Sequence, residues 1–181
     1  DMALTFAIVS DDHAREIPLY AEECGVTSFK FYLGYAKATR WSSRIGLPTT
    51  WDDGTLFLGL EAVAKIGGVA PFHAENRQVV RILQERVKAA GKKDLAAWEE
   101  ASPDYLEAVD ILKVGFFAKL LGCHVYAVHL NSAMGLEMVK KVRAEGTNMT
   151  AEVCTQYLTI SKNDWPFPGA RAVNHPPIRD E

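Results

Sequence analysis

One lysine, two histidines and a tyrosine stand out by type and position. Lys30 lies in the apolar stretch TSFKFYLGY (27–35), with Tyr35 at its end, His73 in PFHAEN (71–76), and His129 in YAVHLNS (126–132). An unpaired ammonium is costly to bury, so a lysine between Phe29 and Phe31 needs a reason. Taken singly, each residue has an ordinary explanation. Lys30 could snorkel or pair with an acid, Tyr35 could be a loop aromatic, and a histidine at a strand end is more often a hydrogen-bonded rim residue than a ligand. Two histidines at matching strand ends strengthen the metal reading, because neutral imidazole is a common donor to zinc-type ions. His13, at a helix start, and His124, at a strand start, sit at the wrong end for such a site and read as structural.

The elements that must position these groups alternate between short β-rich runs and helical periods. LTFAIVS (4–10) reads as a strand and 11–25 as a helix stopped by Gly25, with Pro18 interrupting its first half. SFKFYL is a second strand, and Asp52 and Asp53 cap a helix whose Leu56, Leu60, Val63 and Ala64 share a face. Residues 67–76 give a third strand and 76–91 a third helix. A helix over 102–122 takes Ser102 as N-cap and Pro103 at its first position. Residues 123–130 form a fourth strand, 132–146 a helix capped by Ser132, and 148–158 a fifth strand with its exit. The β-α-β order, with strands apolar on both faces, argues for a parallel sheet flanked by helices. No G-x-G-x-x-G or P-loop supports an open doubly wound sheet. Polar residues at the carboxyl ends of several strands (Lys30 with Tyr35, His73 with Glu75 and Asn76, His129 with Asn131 and Ser132) favour a (β/α)8 TIM barrel. Such a barrel needs about 250 residues, so the expectation is an incomplete barrel of about five parallel strands.

Composition narrows the partners. A formal net charge of −3 on 181 residues gives no basic footprint for nucleic acid or an anionic membrane, and points to a small-molecule ligand. Cys24, Cys123 and Cys154 are an odd number without paired short spacing, which suits reduced thiols and a cytoplasmic protein. The most apolar run, 114–130, is broken by Lys119 and His124 and is too short to span a bilayer. The chain begins without methionine and stops just after a Pro-Pro loop, so both ends read as cut.

Lys30 in SFKFYLGY with its following tyrosine, PFHAEN, YAVHLNS, AEVCTQYL (151–158) and VNHPPIR (173–179) occur in an order that resembles cyclic amidohydrolases of the dihydropyrimidinase and hydantoinase group. DMALTFAIVS is similar to the stretch just ahead of their lysine segment. The resemblance implies that residues 1–181 are the central part of one catalytic TIM-barrel domain, with the first and last barrel strands absent. It also implies a hydrolase that opens dihydropyrimidine, hydantoin or related ureide rings. In that family the strand lysine becomes a carbamate bridging two divalent metal ions, usually zinc. His73 and His129 would then bind the second metal, and the metals would activate a bridging water for attack on the ring amide. Burial assists carbamate formation, since desolvation supplies the neutral amine. Tyr35 would donate to the developing oxyanion. The backbone around Asn174 and His175 would bind the ring edge of the substrate. Full-length relatives are commonly homo-tetramers.

The departures are specific. No His-x-His pair occurs here, although the family's first metal site uses one, and neither Asp11 nor Asp180 matches the motif of its essential aspartate. The chain alone is therefore expected to be inactive. Residues 36–51 look longer than the usual connection, with Trp41 and Trp51 as possible pocket linings. Ser102 stands where arginine is frequent before the proline, and His175 where serine or asparagine is usual. Two alternatives remain: a non-catalytic scaffold with the same barrel, and a dihydroorotase- or allantoinase-type hydrolase. The intact Lys30, Tyr35, His73 and His129 set weighs against the scaffold.

Overall fold

Five short strands lie side by side in chain order, all parallel: β1 (Thr5–Ile8), β2 (Ser28–Tyr32), β3 (Val69–His73), β4 (His124–Ala127) and β5 (Met149–Ala151). The computed structural model describes residues 2–33, 52–161 and 173–179. The connections carry α1 (Asp11–Arg15), α2 (Ile17–Cys24), α3 (Asp53–Lys65), α4 (Arg77–Ala89), α5 (Leu95–Glu100), α6 (Tyr105–Leu121) and α7 (Ala133–Ala144). A one-turn helix, α8 (Thr155–Thr159), follows β5. A doubly wound sheet would reverse its strand order at a switch point, whereas this order never reverses, as in a barrel. Among the described residues no helix is long and apolar enough to cross a membrane.

Strand alternation separates the two faces of the sheet. Phe29 and Phe31 of β2 are fully buried, and Phe31 is in register with Phe72 of β3, itself opposite Ala127 of β4. These side chains pack against Leu56, Leu60 and Val63 of α3 and Ile111 and Val114 of α6 in one core. The other face carries Ser28, Lys30 and Tyr32, then His73, Tyr126 and Thr150. This alternation is why Lys30 can stand in an apolar strand.

Helix starts follow the capping rules in most places. Asp52, Asn76 and Ser132 each accept the backbone N–H three residues on, at the heads of α3, α4 and α7. Two expectations are corrected. The segment 11–25 is two helices joined at Glu16, because Pro18 cannot donate a helical hydrogen bond and is tolerated only in a first turn, which it occupies in α2. Ser102 is not an N-cap: α6 begins at Tyr105 behind Asp104, and the Ser102 hydroxyl is used by the buried Glu75 carboxylate.

Gly59 of α3 faces the Phe31 ring so closely that an added Cβ would lie 2.6 Å from Cζ. Gly59→Ala is therefore expected to destabilise the protein by about 1–3 kcal/mol despite the better helix propensity of alanine. Denaturant unfolding measures this, and a stabilised variant would contradict the packing described.

Candidate active site

His73 and His129 meet at the carboxyl ends of adjacent strands. His73 ends β3 and is 3 % exposed. His129 lies two residues beyond β4 in a left-handed turn, φ 43°. That conformation costs a side-chain-bearing residue roughly 1–2 kcal/mol. Backbone bonds hold the turn on either side: Val128 N–H donates to Phe72 O, and Leu130 N–H to Glu152 O. The turn is why β4 ends at Ala127 rather than continuing through 130. His73 Nδ1 then lies 2.7 Å from His129 Nε2, with the rings edge-on at 4.7 Å between centroids. Both imidazoles are kept neutral. Burial lowers the His73 pKa, and burial with the neighbouring His73 and Lys30 pushes His129 down to about 3.

Lys30 is the third residue of β2, on the same face, so it sits inside the strand rather than at its end. Its Nζ lies 5.3 Å from the centre of the Tyr32 ring. Burial lowers its pKa to about 8 against the opposing charge of Glu152. Half of such amines are neutral at pH 8, against under about 1 % of ordinary lysines. That neutral fraction is what reaction with carbon dioxide requires.

Glu75, two residues after His73, is 2 % exposed. Its Oε1 accepts the Ser102 hydroxyl at 2.5 Å, and its Oε2 lies 3.0 Å from His175 Nε2 and 3.5 Å from His73 Nε2. Burial alone would raise its pKa, but the nearby His175 and His73 imidazoles and the Ser102 hydroxyl outweigh this and hold the carboxyl well below the usual range. The His175 ring leans on His73 at 5.2 Å and on Trp98 at 5.8 Å.

The strap 173–179 crosses the ends of several elements. Asn174 O accepts the Trp98 indole N–H at 2.8 Å, and Asn174 Nδ2 donates to the Tyr157 hydroxyl, which donates to Pro176 O. Asn131 Nδ2 donates to Pro177 O, and Arg179 Nε to Asn131 Oδ1. His175 N–H bonds to the Asn174 side chain. The Asn174 and His175 backbone, expected to face substrate, thus already has partners within the chain. Tyr35, Trp41 and Trp51 lie outside the described residues.

Two donor groups could hold a divalent metal. One is His73 with His129, beside Lys30. Zinc bonded to nitrogen at about 2.0–2.1 Å in tetrahedral geometry separates two nitrogens by roughly 3.3 Å, so these rings need to part by about half an ångström. Buried, neutral and nitrogen-faced, they fit such an ion, and His129 Nδ1 has no hydrogen-bond partner among the described residues. The other is His73, Glu75 and His175, whose ligand atoms lie within 4.8 Å of one another. Sequence reading missed the Glu75–His175 pair, which no local spacing reveals, and α5, whose only signal is Asp94 capping Ala97 N–H.

No family model matches the chain. It is 30 % identical over 181 residues to the D-hydantoinase of Geobacillus stearothermophilus, covering 98 % of this chain and 36 % of that protein. It is 35 % identical over 159 residues to the allantoinase of Enterococcus faecalis, covering 88 % of this chain and 34 % of that one. Among solved structures, the D-hydantoinase of Bacillus sp. AR9 superposes with a TM-score of 0.87 at 27 % identity, over 100 % of this chain and 38 % of that one. The chain spans little more than a third of the length of these relatives, and over that span, in sequence and in fold alike, it belongs to the dihydropyrimidinase and hydantoinase group of cyclic amidohydrolases.

Proposed function

We propose that these residues form the central part of one catalytic barrel domain that hydrolyses the amide C–N bond of a cyclic ureide. The observation that carries this is the approach of His73 Nδ1 and His129 Nε2 at adjacent strand ends, on the face that bears Lys30. Lys30, as a carbamate, would hold two divalent metal ions, and His73 and His129 would complete the ligand set of one of them. Zinc suits nitrogen and carbamate oxygen donors. Bound there, the ions lower the pKa of water and polarise the substrate carbonyl.

The remaining work falls to the chain itself. The apolar strand around Lys30 supplies the neutral amine, and β3 and the turn at His129 fix two imidazoles in their neutral state. Tyr35 would donate to the developing oxyanion, and the strap at Asn174 and His175 would border the substrate ring. Relatives named hydantoinase and allantoinase both act on a five-membered ureide ring, which makes hydantoin-type rings the first candidates here and dihydropyrimidines the second. The remaining metal ligands would come from chain outside these 181 residues, so the piece alone is expected to show no turnover. A cytoplasmic homo-tetramer completes the proposal.

The test is metal content and ring opening in the whole polypeptide, reconstituted with zinc and bicarbonate. His129→Ala is expected to lower zinc affinity by at least about tenfold, since a first-sphere donor is lost where even an outer partner is worth 10–100-fold. A wild-type protein that takes up no zinc ends the proposal.

A further inference from the structure

We propose that Tyr157 is a positioning residue for substrate: with Trp98 and Asn131 it fixes the strap 173–179 as a preformed wall of the ring pocket, acting through the backbone of 174–177 rather than on the ring itself. This role rests on the cyclic-ureide reading above, in which the strap borders the substrate, and adds what holds that border in place.

The argument is one of donors and carbonyls. Pro176 and Pro177 have no N–H, so this stretch is tied down through its carbonyl oxygens. Three of them are each met by a side-chain donor, from the segments that follow β3, β4 and β5. The Trp98 indole N–H of α5 reaches Asn174 O at 2.8 Å, Asn131 Nδ2 reaches Pro177 O at 2.5 Å, and the Tyr157 hydroxyl of α8 reaches Pro176 O at 3.0 Å. Tyr157 is the centre of the set. Its oxygen also accepts Asn174 Nδ2 at 3.1 Å, so it holds the strap on both sides of His175. Each bond has one possible direction. An indole N–H only donates and a carbonyl only accepts. The amide oxygens of Asn131 and Asn174 accept Arg179 Nε at 3.3 Å and His175 N–H at 3.0 Å, which fixes the nitrogen end of each amide as the donor. A wall held this way is in place before the ring arrives, so binding need not order it. Loosening it should cost affinity for the ring, while the metal ligands on β3 and after β4 stay where they are.

The experiment is steady-state hydantoin opening by the zinc-loaded whole polypeptide, with zinc content, thermal unfolding and hydrogen exchange measured beside it. Tyr157→Phe keeps the ring and loses both bonds. It should raise KM by about tenfold, the size of two ordinary hydrogen bonds, with kcat within about threefold and zinc content unchanged. Hydrogen exchange of 173–175 should quicken in the same variant while that of β3 holds. Trp98→Phe, which loses one bond, should raise KM by about threefold. Unchanged KM or unchanged exchange in Tyr157→Phe overturns the role, whatever happens to its unfolding temperature, and so does a loss of zinc or a fall in kcat larger than the rise in KM. If Tyr157→Phe does not fold, Trp98→Phe decides by the same criteria. Wild-type protein that opens no ring overturns the ureide reading itself and this role with it, whereas a working enzyme with unchanged KM in the variants overturns the role alone.

Discussion

Lys30→Met in the whole polypeptide is expected to lower ring-opening activity by at least about a thousandfold while leaving the thermal stability of the metal-free protein unchanged or raised. Both halves follow from the same burial. Methionine nearly matches the lysine stem in volume, so the strand keeps its packing against Phe29 and Phe31 on its other face. It removes a cation whose pKa is lowered to about 8 because the site desolvates it. The sign is fixed by linkage. Between about 8 and the ordinary 10.5 the unfolded chain holds the proton that the folded chain has released, so stability rises with pH across that window and the penalty is fully present below it. The stability comparison therefore belongs at pH 7, with steady-state hydantoin hydrolysis measured beside it. Activity within tenfold of wild type would show that the amine has no part in the chemistry.

Glu107→Ala is expected to cost about 3 kcal/mol, the largest stability loss among the changes considered. Glu107 of α6 is 4 % exposed, and its carboxylate accepts Asn131 N–H at 3.1 Å and the Ser132 hydroxyl at 2.5 Å. Ser132 in turn caps α7 by accepting Gly135 N–H. Alanine would strip all of this and leave buried donors at the head of α7 without partners. Glu107→Gln keeps an acceptor oxygen and should cost about 1 kcal/mol. Burial dominates the Glu107 pKa and raises it above 4.5. The folded state therefore keeps a proton that the unfolded chain has lost, and the stability this gives at acid pH declines as pH rises past that value. Chemical denaturation at pH 5 and pH 8 tests both points, and an alanine variant within 1 kcal/mol of wild type would contradict the role of the network.

The legible part of the fold was the part written locally. Asp52, Asn76 and Ser132 announce their helices because a capping side chain acts within three residues, and all five strands stand where apolar runs placed them. The approach of His73 to His129 was legible because barrel strands bring their carboxyl ends together. What failed depended on distant partners. Ser102 looks like a cap until a buried carboxylate from β3 claims its hydroxyl. The turn at His129 breaks a run of good strand residues because two neighbouring strands hold it by backbone bonds. Glu75 meets His175 only after the strap has folded back across the sheet.

That strap is tied to the barrel mouth by contacts between residues far apart in sequence. Trp98 and Asn174 are 76 positions apart, and Asn131 and Pro177 are 46 apart. Each such closure costs chain entropy that local helices do not pay. Segments held by a few peripheral bonds also open at lower free energy than a core built on Phe29, Phe31 and Phe72. The strap is therefore expected to loosen on warming while the sheet beneath it still stands.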